Sequence, residues 1–95
     1  MSNAKYIVTD MSVSILQQAV EDWRELMRYE KFLHEHPEKK TKYPPRFMYQ
    51  ASFNDIRSFF KSEYGAGLCE AVNLDSMTVL NKLENDLAES RRAYA

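Results

Sequence analysis

The chain has 95 residues, the length of one small domain. Apolar residues make up 44% and charged residues 28%, which excludes wholesale disorder, and no run approaches the ~18 consecutive apolar residues of a membrane span. The net charge of −1 excludes a global field that would recruit nucleic acid or an anionic membrane. The chain has one cysteine, Cys69, and lacks the features of a signal peptide, so we expect a reducing, cytoplasmic setting.

The beginning of the chain has two interpretations. Residues 1–11 are predicted to form an N-terminal tail, because the helical pattern of apolar residues starts only after them. The stretch Tyr6–Thr9 is rich in β-branched and aromatic residues, which are typical of strands. It can alternatively pair with Phe47–Tyr49 as a minimal two-stranded sheet.

The first predicted helix has the clearest pattern. From Ile15 onward, apolar residues recur at steps of three and four, as on one face of an amphipathic helix. Glu21 and Glu25 are followed three residues later by Arg24 and Arg28, a spacing that allows ion pairs on the opposite face. The helix is expected to end at or before His36, because the residue preceding a proline is biased away from helical angles. The following residues, 34–51, are predicted to be a connecting loop.

A second helix is predicted to begin at Phe53. Ser52 and Asp55 have the spacing of a capping box, in which each side chain satisfies a backbone N–H of the other. Ser62 can cap a short further helical piece, and the nearby glycines are expected to weaken or break the helix. The predicted buried face comprises Ile56, Phe59, Phe60 and Tyr64, and the glycines are Gly65 and Gly67.

The last helix is predicted to begin after Asp75, a good N-cap residue, with Leu74 and Val79 placed to form a hydrophobic staple. Its apolar face is expected to comprise Met77, Leu80, Leu83 and Leu87, and its water-facing residues Lys82, Glu84, Asp86 and Glu89. The sequence therefore predicts an all-α single domain spanning 1–95. Its architecture is a small bundle of three main amphipathic helices plus a short fourth helical segment.

The predicted loop is the most basic part of the chain. Residues 1–30, 31–61 and 62–95 carry net charges of −2, +4 and −3, which we obtain by counting Lys and Arg against Asp and Glu. Basic and aromatic side chains alternate in the loop, at Lys39, Lys40, Lys42, Tyr43, Arg46, Phe47 and Tyr49. This pattern fits a surface that steers an acidic protein partner, or weak nucleic-acid binding by phosphate contact and base stacking. It also fits a solvated loop whose aromatic rings return to the core.

Residue types that carry chemistry are present without a complete catalytic set. Glu30 and His34 lie four residues apart on one predicted helix face, with His36 near by, but a zinc site needs three or four ligands. Cys69 has no base, orienting group or oxyanion hole in its sequence neighbourhood. We therefore expect no enzymatic activity, no cofactor and no bound metal.

Aromatic residues are unusually dense in the middle of the chain. Seven of them fall within 22 residues, from Tyr43 to Tyr64, which is more than a small helical core can readily cover. Surplus aromatic residues at a surface mark protein–protein contacts. Together with the segregated charge, they predict a protein partner or a homodimer in which unlike blocks of charge meet.

Three segments carry a resemblance to known proteins: AVEDWR at 19–24, FNDIRSFFKS at 53–62, and Leu74-Asp75 with the leucine helix that follows. They resemble small uncharacterised all-helical proteins encoded in prophages and mobile elements of Gram-positive bacteria. The resemblance covers most of residues 15–88 and implies no established activity or site. The loop around Pro37–Pro45 is longer than the connection expected of that group. The sequence therefore predicts a non-enzymatic protein–protein interaction or structural module of prophage origin, with weak nucleic-acid binding as the alternative.

Overall fold

The computed structural model describes residues 2–39 and 52–94, with the side chains of residues 10–38 and 52–94. Four helices pack together, and no strand occurs in these residues. They are α1 (Ser2–Glu35), α2 (Phe53–Lys61), α3 (Glu63–Ala71) and α4 (Ser76–Tyr94), with a short 3-10 turn at Pro37–Lys39. The predicted small all-α bundle is confirmed.

Helix α1 is the longest element, and it corrects the interpretation of the first residues. It begins at Ser2, so both the predicted tail 1–11 and the predicted strand Tyr6–Thr9 are wrong. Strand propensity depends on a neighbouring strand to pack against, and a helix propagates readily once formed. Because no glycine or proline interrupts the chain before Pro37, the helix extends through the β-branched stretch. Its 34 residues span about 51 Å.

The end of α1 agrees with the proline rule. The helix ends at Glu35, as predicted from Pro37, and the amide of His36 still donates to the carbonyl of Phe32 at 2.8 Å. The loop predicted over 34–51 therefore begins at residue 36, two residues later than predicted, and its first part includes the 3-10 turn. The rest of the loop, including the predicted strand Phe47–Tyr49, lies outside the described residues.

Helices α2 and α3 meet at a serine rather than at the glycines. The capping box at the start of α2 is present: Asp55 N donates to Ser52 Oγ at 3.2 Å, and Ser52 N donates to Asp55 Oδ2 at 2.9 Å. Ser62 has an extended backbone and caps α3 by accepting from Gly65 N at 3.0 Å. Gly65 and Gly67 were expected to weaken or break the helix; the predicted break at the glycines is wrong, because both lie inside α3.

One apolar core joins the four helices. Trp23 is fully buried at its centre, and its indole N–H donates to the carbonyl of Leu83 at 3.0 Å, linking α1 to α4. The ring of Phe53 packs edge-on against Trp23 with 4.7 Å between ring centroids, which brings in α2. The buried apolar side chains are Leu16, Trp23, Leu26, Ile56, Phe60, Cys69, Leu80, Leu83 and Leu87.

Two predicted core residues lie outside this core. Tyr64 has 61% of its surface exposed, because the break at Ser62 turns α3 away from the face that α2 presents to the core. Met77 is 44% exposed, because the buried stripe of α4 begins at Ser76 and continues through Leu80. The prediction for Tyr64 was wrong because it followed helical spacing across the boundary between α2 and α3, whereas Met77 lies one residue past the buried position in the first turn of α4.

Candidate functional site

An apolar groove lies between α1, α3 and the beginning of α4. Its volume is about 560 Å³. We call it the α1–α3–α4 groove. Its lining residues are Val13, Leu16, Gln17, Val20, Glu21, Arg24, Cys69, Val72, Leu74 and Val79. The polar ones all belong to α1, so a ligand would meet an apolar wall on the α3–α4 side.

The turn from α3 to α4 shapes one edge of this groove. The amide of Leu74 donates to the carbonyl of Cys69 at 2.8 Å, and that of Asn73 donates to the carbonyl of Glu70 at 3.1 Å. These two bonds form the Schellman motif that ends α3, and Asn73 adopts the left-handed φ of 60° that the motif requires. The motif leaves Leu74 half exposed at the groove edge.

Asp75 caps α4 beside the groove, as predicted. Its carboxylate accepts from the amide of Thr78 at 2.9 Å and from the Thr78 hydroxyl at 2.8 Å. These hydrogen bonds lower the pKa of the Asp75 carboxyl, so it is a stable negative charge at neutral pH. The predicted staple residues Leu74 and Val79 both line the groove.

Cys69 is buried beneath the groove, and its surroundings favour the thiol form. Burial raises the pKa of Cys69, and the negative charge of Asp75 raises it further. Thiolate is the nucleophilic form of cysteine, so this environment suppresses reactivity. His34 lies ten residues beyond Arg24, the last groove-lining residue of α1, a helix distance of about 15 Å, and does not itself line the groove.

The metal-ligand candidates at the end of α1 are engaged with α4. The carboxylate of Glu30 accepts two hydrogen bonds from the Arg91 guanidinium, at 2.8 and 3.3 Å. The ring of His34 lies 4.7 Å from that of Tyr94. Within residues 2–39 and 52–94, no cluster of three or more His, Cys, Asp or Glu side chains is arranged to hold a metal ion.

A second charged cluster holds α2 against α4. The guanidinium of Arg57 donates from Nε and Nη2 to the two carboxylate oxygens of Glu84, both at 2.9 Å. It also lies 5.4 Å from the ring centroid of Trp23 and 5.9 Å from that of Phe53. The bond from Arg57 lowers the pKa of Glu84. Glu84 was predicted to face water. Because 27 residues separate it from Arg57, no local sequence pattern could have predicted this pair.

The carboxylates on the outer face of α1 are paired within the helix. The predicted ion pairs Glu21–Arg24 and Glu25–Arg28 are both present. Asp22 accepts from the side-chain amide of Gln18 at 2.8 Å. These contacts follow the one-turn spacing of the sequence and stabilise the helix by a few tenths of a kcal/mol each, about the value of exposed pairs.

The basic–aromatic loop that was predicted to contact a partner is described only at its beginning. Lys39 is the last residue of the 3-10 turn. The predicted contact residues Lys40, Lys42, Tyr43, Arg46, Phe47 and Tyr49 lie outside the described residues. Their role stays a prediction.

No family model, no curated protein and no solved structure matches the chain. In the described part of the chain, no helix combines the length and the apolar character needed to span a bilayer.

Proposed function

We propose that this protein is a non-enzymatic interaction module of the cytoplasm, and that it binds a helical segment of another protein in the α1–α3–α4 groove. The observation that carries the proposal is the groove itself, with apolar residues from three helices along its walls. Grooves of this kind receive the apolar face of an amphipathic helix, with anchors at steps of three and four residues. The origin in a prophage suggested by the sequence resemblance is part of the same proposal.

Charge at the groove indicates the chemistry of the segment that would bind. Asp75 lies close enough to Cys69 for its charge to act on the thiol, and Glu21 lies on the opposite wall. Arg24 offsets part of this charge through its contact with Glu21. A partner helix with apolar anchors and basic flanking residues would therefore match both the walls and the rim.

The disposition of reactive groups supports binding rather than catalysis. Burial keeps Cys69 in the thiol form, and Glu30 and Glu84 are held by arginines. Catalysis requires a base or nucleophile with a matched pKa and access to substrate. Cys69 has neither a lowered pKa nor exposure, and the carboxylates of Glu30 and Glu84 are occupied by arginines.

Selection from a library of displayed helical peptides tests the proposal. We expect the immobilised protein to enrich peptides with apolar residues at steps of three and four and with Lys or Arg at the flanks. Leu74→Asp places a charge on the groove wall and should abolish their binding, because burying an unpaired charge is costly. Met77→Asp is the matched control, since Met77 is similarly exposed but does not line the groove.

Two results would contradict the proposal. The first is a library from which no peptide is enriched. The second is a set of enriched peptides that bind the Leu74→Asp variant as tightly as the unmodified protein.

A further inference from the structure

We propose that the helix bound in the α1–α3–α4 groove is acidic at its N-terminal end and basic at its C-terminal end, and that it lies antiparallel to α1. This inference rests on the proposed function and names the partner more closely. Its support is a second depression, which continues the groove along α1, and the opposite charges at the two ends of the combined surface.

The α1–α3–α4 groove continues into a depression of about 200 Å³ between α1 and α4. Arg24 lines both of them. We call the second one the basic depression, and its lining residues are Arg24, Met27, Arg28, Lys31 and Ser90. Its three cations follow one another at steps of four and three, which places them on one face of α1. The apolar groove therefore ends at a row of positive charges.

The cations of the basic depression are available to a partner. Arg24 and Arg28 contact the glutamates three residues before them, and these side chains are all exposed. Exposed ion pairs contribute little to stability, so a carboxylate of a partner can compete for both arginines. Lys31 has no ion-pair partner among the residues that the structure describes. This end of the surface can therefore receive negative charge.

The other end of the groove is acidic. The carboxylate of Asp75 accepts its hydrogen bonds from Thr78 and meets no cation in the described part of the chain. Asp10 precedes the groove residues Val13 and Gln17 by three and seven positions, so it extends the groove face of α1 by one turn. Asp10 is exposed. Two carboxylates thus lie where the groove begins.

The packing of α4 on α1 separates the acidic end from the basic end. Trp23 bonds to Leu83 and Glu30 to Arg91, so the two helices run parallel. Asp75 lies about two turns before Leu83, whereas the basic depression begins next to Trp23 and extends in the other direction. The apolar groove lies between the two charged ends.

The length and charge of this surface define the partner. From Asp10 to Lys31 it follows α1 for about 32 Å, the length of a helix of about 21 residues. Opposite charges that meet across an interface fix its orientation. Helices are stabilised by acidic residues in the first turn and by basic residues in the last turn. A helix of this ordinary kind fits the surface with its N-terminus at Lys31 and its C-terminus at Asp10, which is antiparallel to α1.

The binding of two matched peptides tests the order of charges. Both peptides carry the apolar anchors of a peptide enriched from the library, with two Glu residues at one end and two Lys residues at the other. The two peptides differ only in which end is acidic. In fluorescence anisotropy at low salt, the peptide with Glu at its N-terminal end should bind at least about tenfold more tightly. Added salt should reduce the difference, because these charges are exposed.

A charge reversal in the protein separates contact with the basic depression from the helicity of the peptides themselves. Lys31→Glu should weaken binding of the peptide with N-terminal Glu at least about threefold and should strengthen binding of the other peptide. Lys61→Glu is the matched control. It makes the same change at an exposed lysine of α2 that lines neither depression, and it should leave both affinities unchanged.

A nitroxide label on the N-terminal end of the tighter peptide tests the orientation. The label should broaden the amide NMR signals of Arg28 and Lys31 and spare those of Asp10 and Val13. The opposite pattern overturns the antiparallel orientation. Equal binding of the two peptides, or equal effects of Lys31→Glu and Lys61→Glu, overturns the order of charges.

The outcomes distinguish this inference from the proposed function. A library without enriched peptides overturns both, as does unchanged binding to the Leu74→Asp variant. If Leu74→Asp abolishes binding but the order of charges has no effect, the groove binds a helix and the inference about the partner's charge and orientation fails alone.

Discussion

The two glycines of α3 should respond in opposite ways to the same substitution. A methyl group built on Gly65 would lie 2.0 Å from the carbonyl oxygen of Phe59 and 2.9 Å from its carbonyl carbon. The same group on Gly67 would meet no atom within 4 Å. Gly65 is buried where α3 turns back on α2, and Gly67 is exposed. The close approach of the two backbones at Ser62 therefore requires glycine at 65 and not at 67.

The magnitudes follow from two terms. Replacing glycine by alanine inside a helix stabilises it by about 1 kcal/mol, because the unfolded chain loses conformational freedom. Gly67→Ala should show this gain in full. At Gly65, relief of the contact requires the Phe59 carbonyl to move by more than about 1 Å, and overpacking of this kind costs about 1–3 kcal/mol or more. Ser62 Oγ, which donates to that carbonyl at 2.6 Å, would move with it. Because the approach of 2.0 Å is so close, the upper cost applies, and Gly65→Ala should lower the free energy of unfolding by about 2 kcal/mol after the helix gain is subtracted.

Urea unfolding measures both variants at one fixed protein concentration. Fluorescence of Trp23, the sole tryptophan, reports the core, and circular dichroism reports the helices. The two midpoints should move in opposite directions with unchanged m-values. A Gly65→Ala protein as stable as Gly67→Ala would refute the close approach of α2 and α3.

Three further substitutions test other features of the fold. Ser12→Ala should raise the free energy of unfolding by about 1 kcal/mol, because the Ser12 hydroxyl is fully buried and has no hydrogen-bond partner in the described part of the chain; a loss of stability in urea would contradict this. Trp23→Phe should lower stability by about 2 kcal/mol or more, since it removes the hydrogen bond to Leu83 and leaves a cavity; circular dichroism provides the midpoint. Arg57 lowers the pKa of Glu84 in the folded state. Their pair therefore stabilises the protein at pH values above 4.5, the ordinary pKa of a glutamate. This contribution disappears as the pH falls through the lower pKa that Glu84 has in the folded state. On acidification from neutral pH, the Glu84→Gln variant should therefore lose less stability than the unmodified protein. The difference should be under about 1 kcal/mol, because the side chains of Arg57 and Glu84 are both partly exposed. Equal losses of stability would contradict the assignment.

Local features of the sequence determined the helical class and the helix ends that carry a cap or a proline. The all-α class, the capping box at Ser52, the caps at Ser62 and Asp75 and the end of α1 before Pro37 all follow from residues within one or two turns of each other. Such signals act through hydrogen bonds and backbone angles that do not depend on the rest of the molecule. The same is true of the ion pairs on the outer face of α1.

Tertiary structure decided the remaining features. The stretch Tyr6–Thr9 has residues typical of a strand, but without a neighbouring strand it continues α1. Position 65 within α3 requires glycine because the backbone of Phe59 in α2 leaves no room for a β-carbon there. The bond between Arg57 and Glu84 forms, and the α1–α3–α4 groove is lined, only when helices distant in sequence pack together. Contacts between remote residues depend on the packing of the whole chain, and the periodicity of a single element does not contain them.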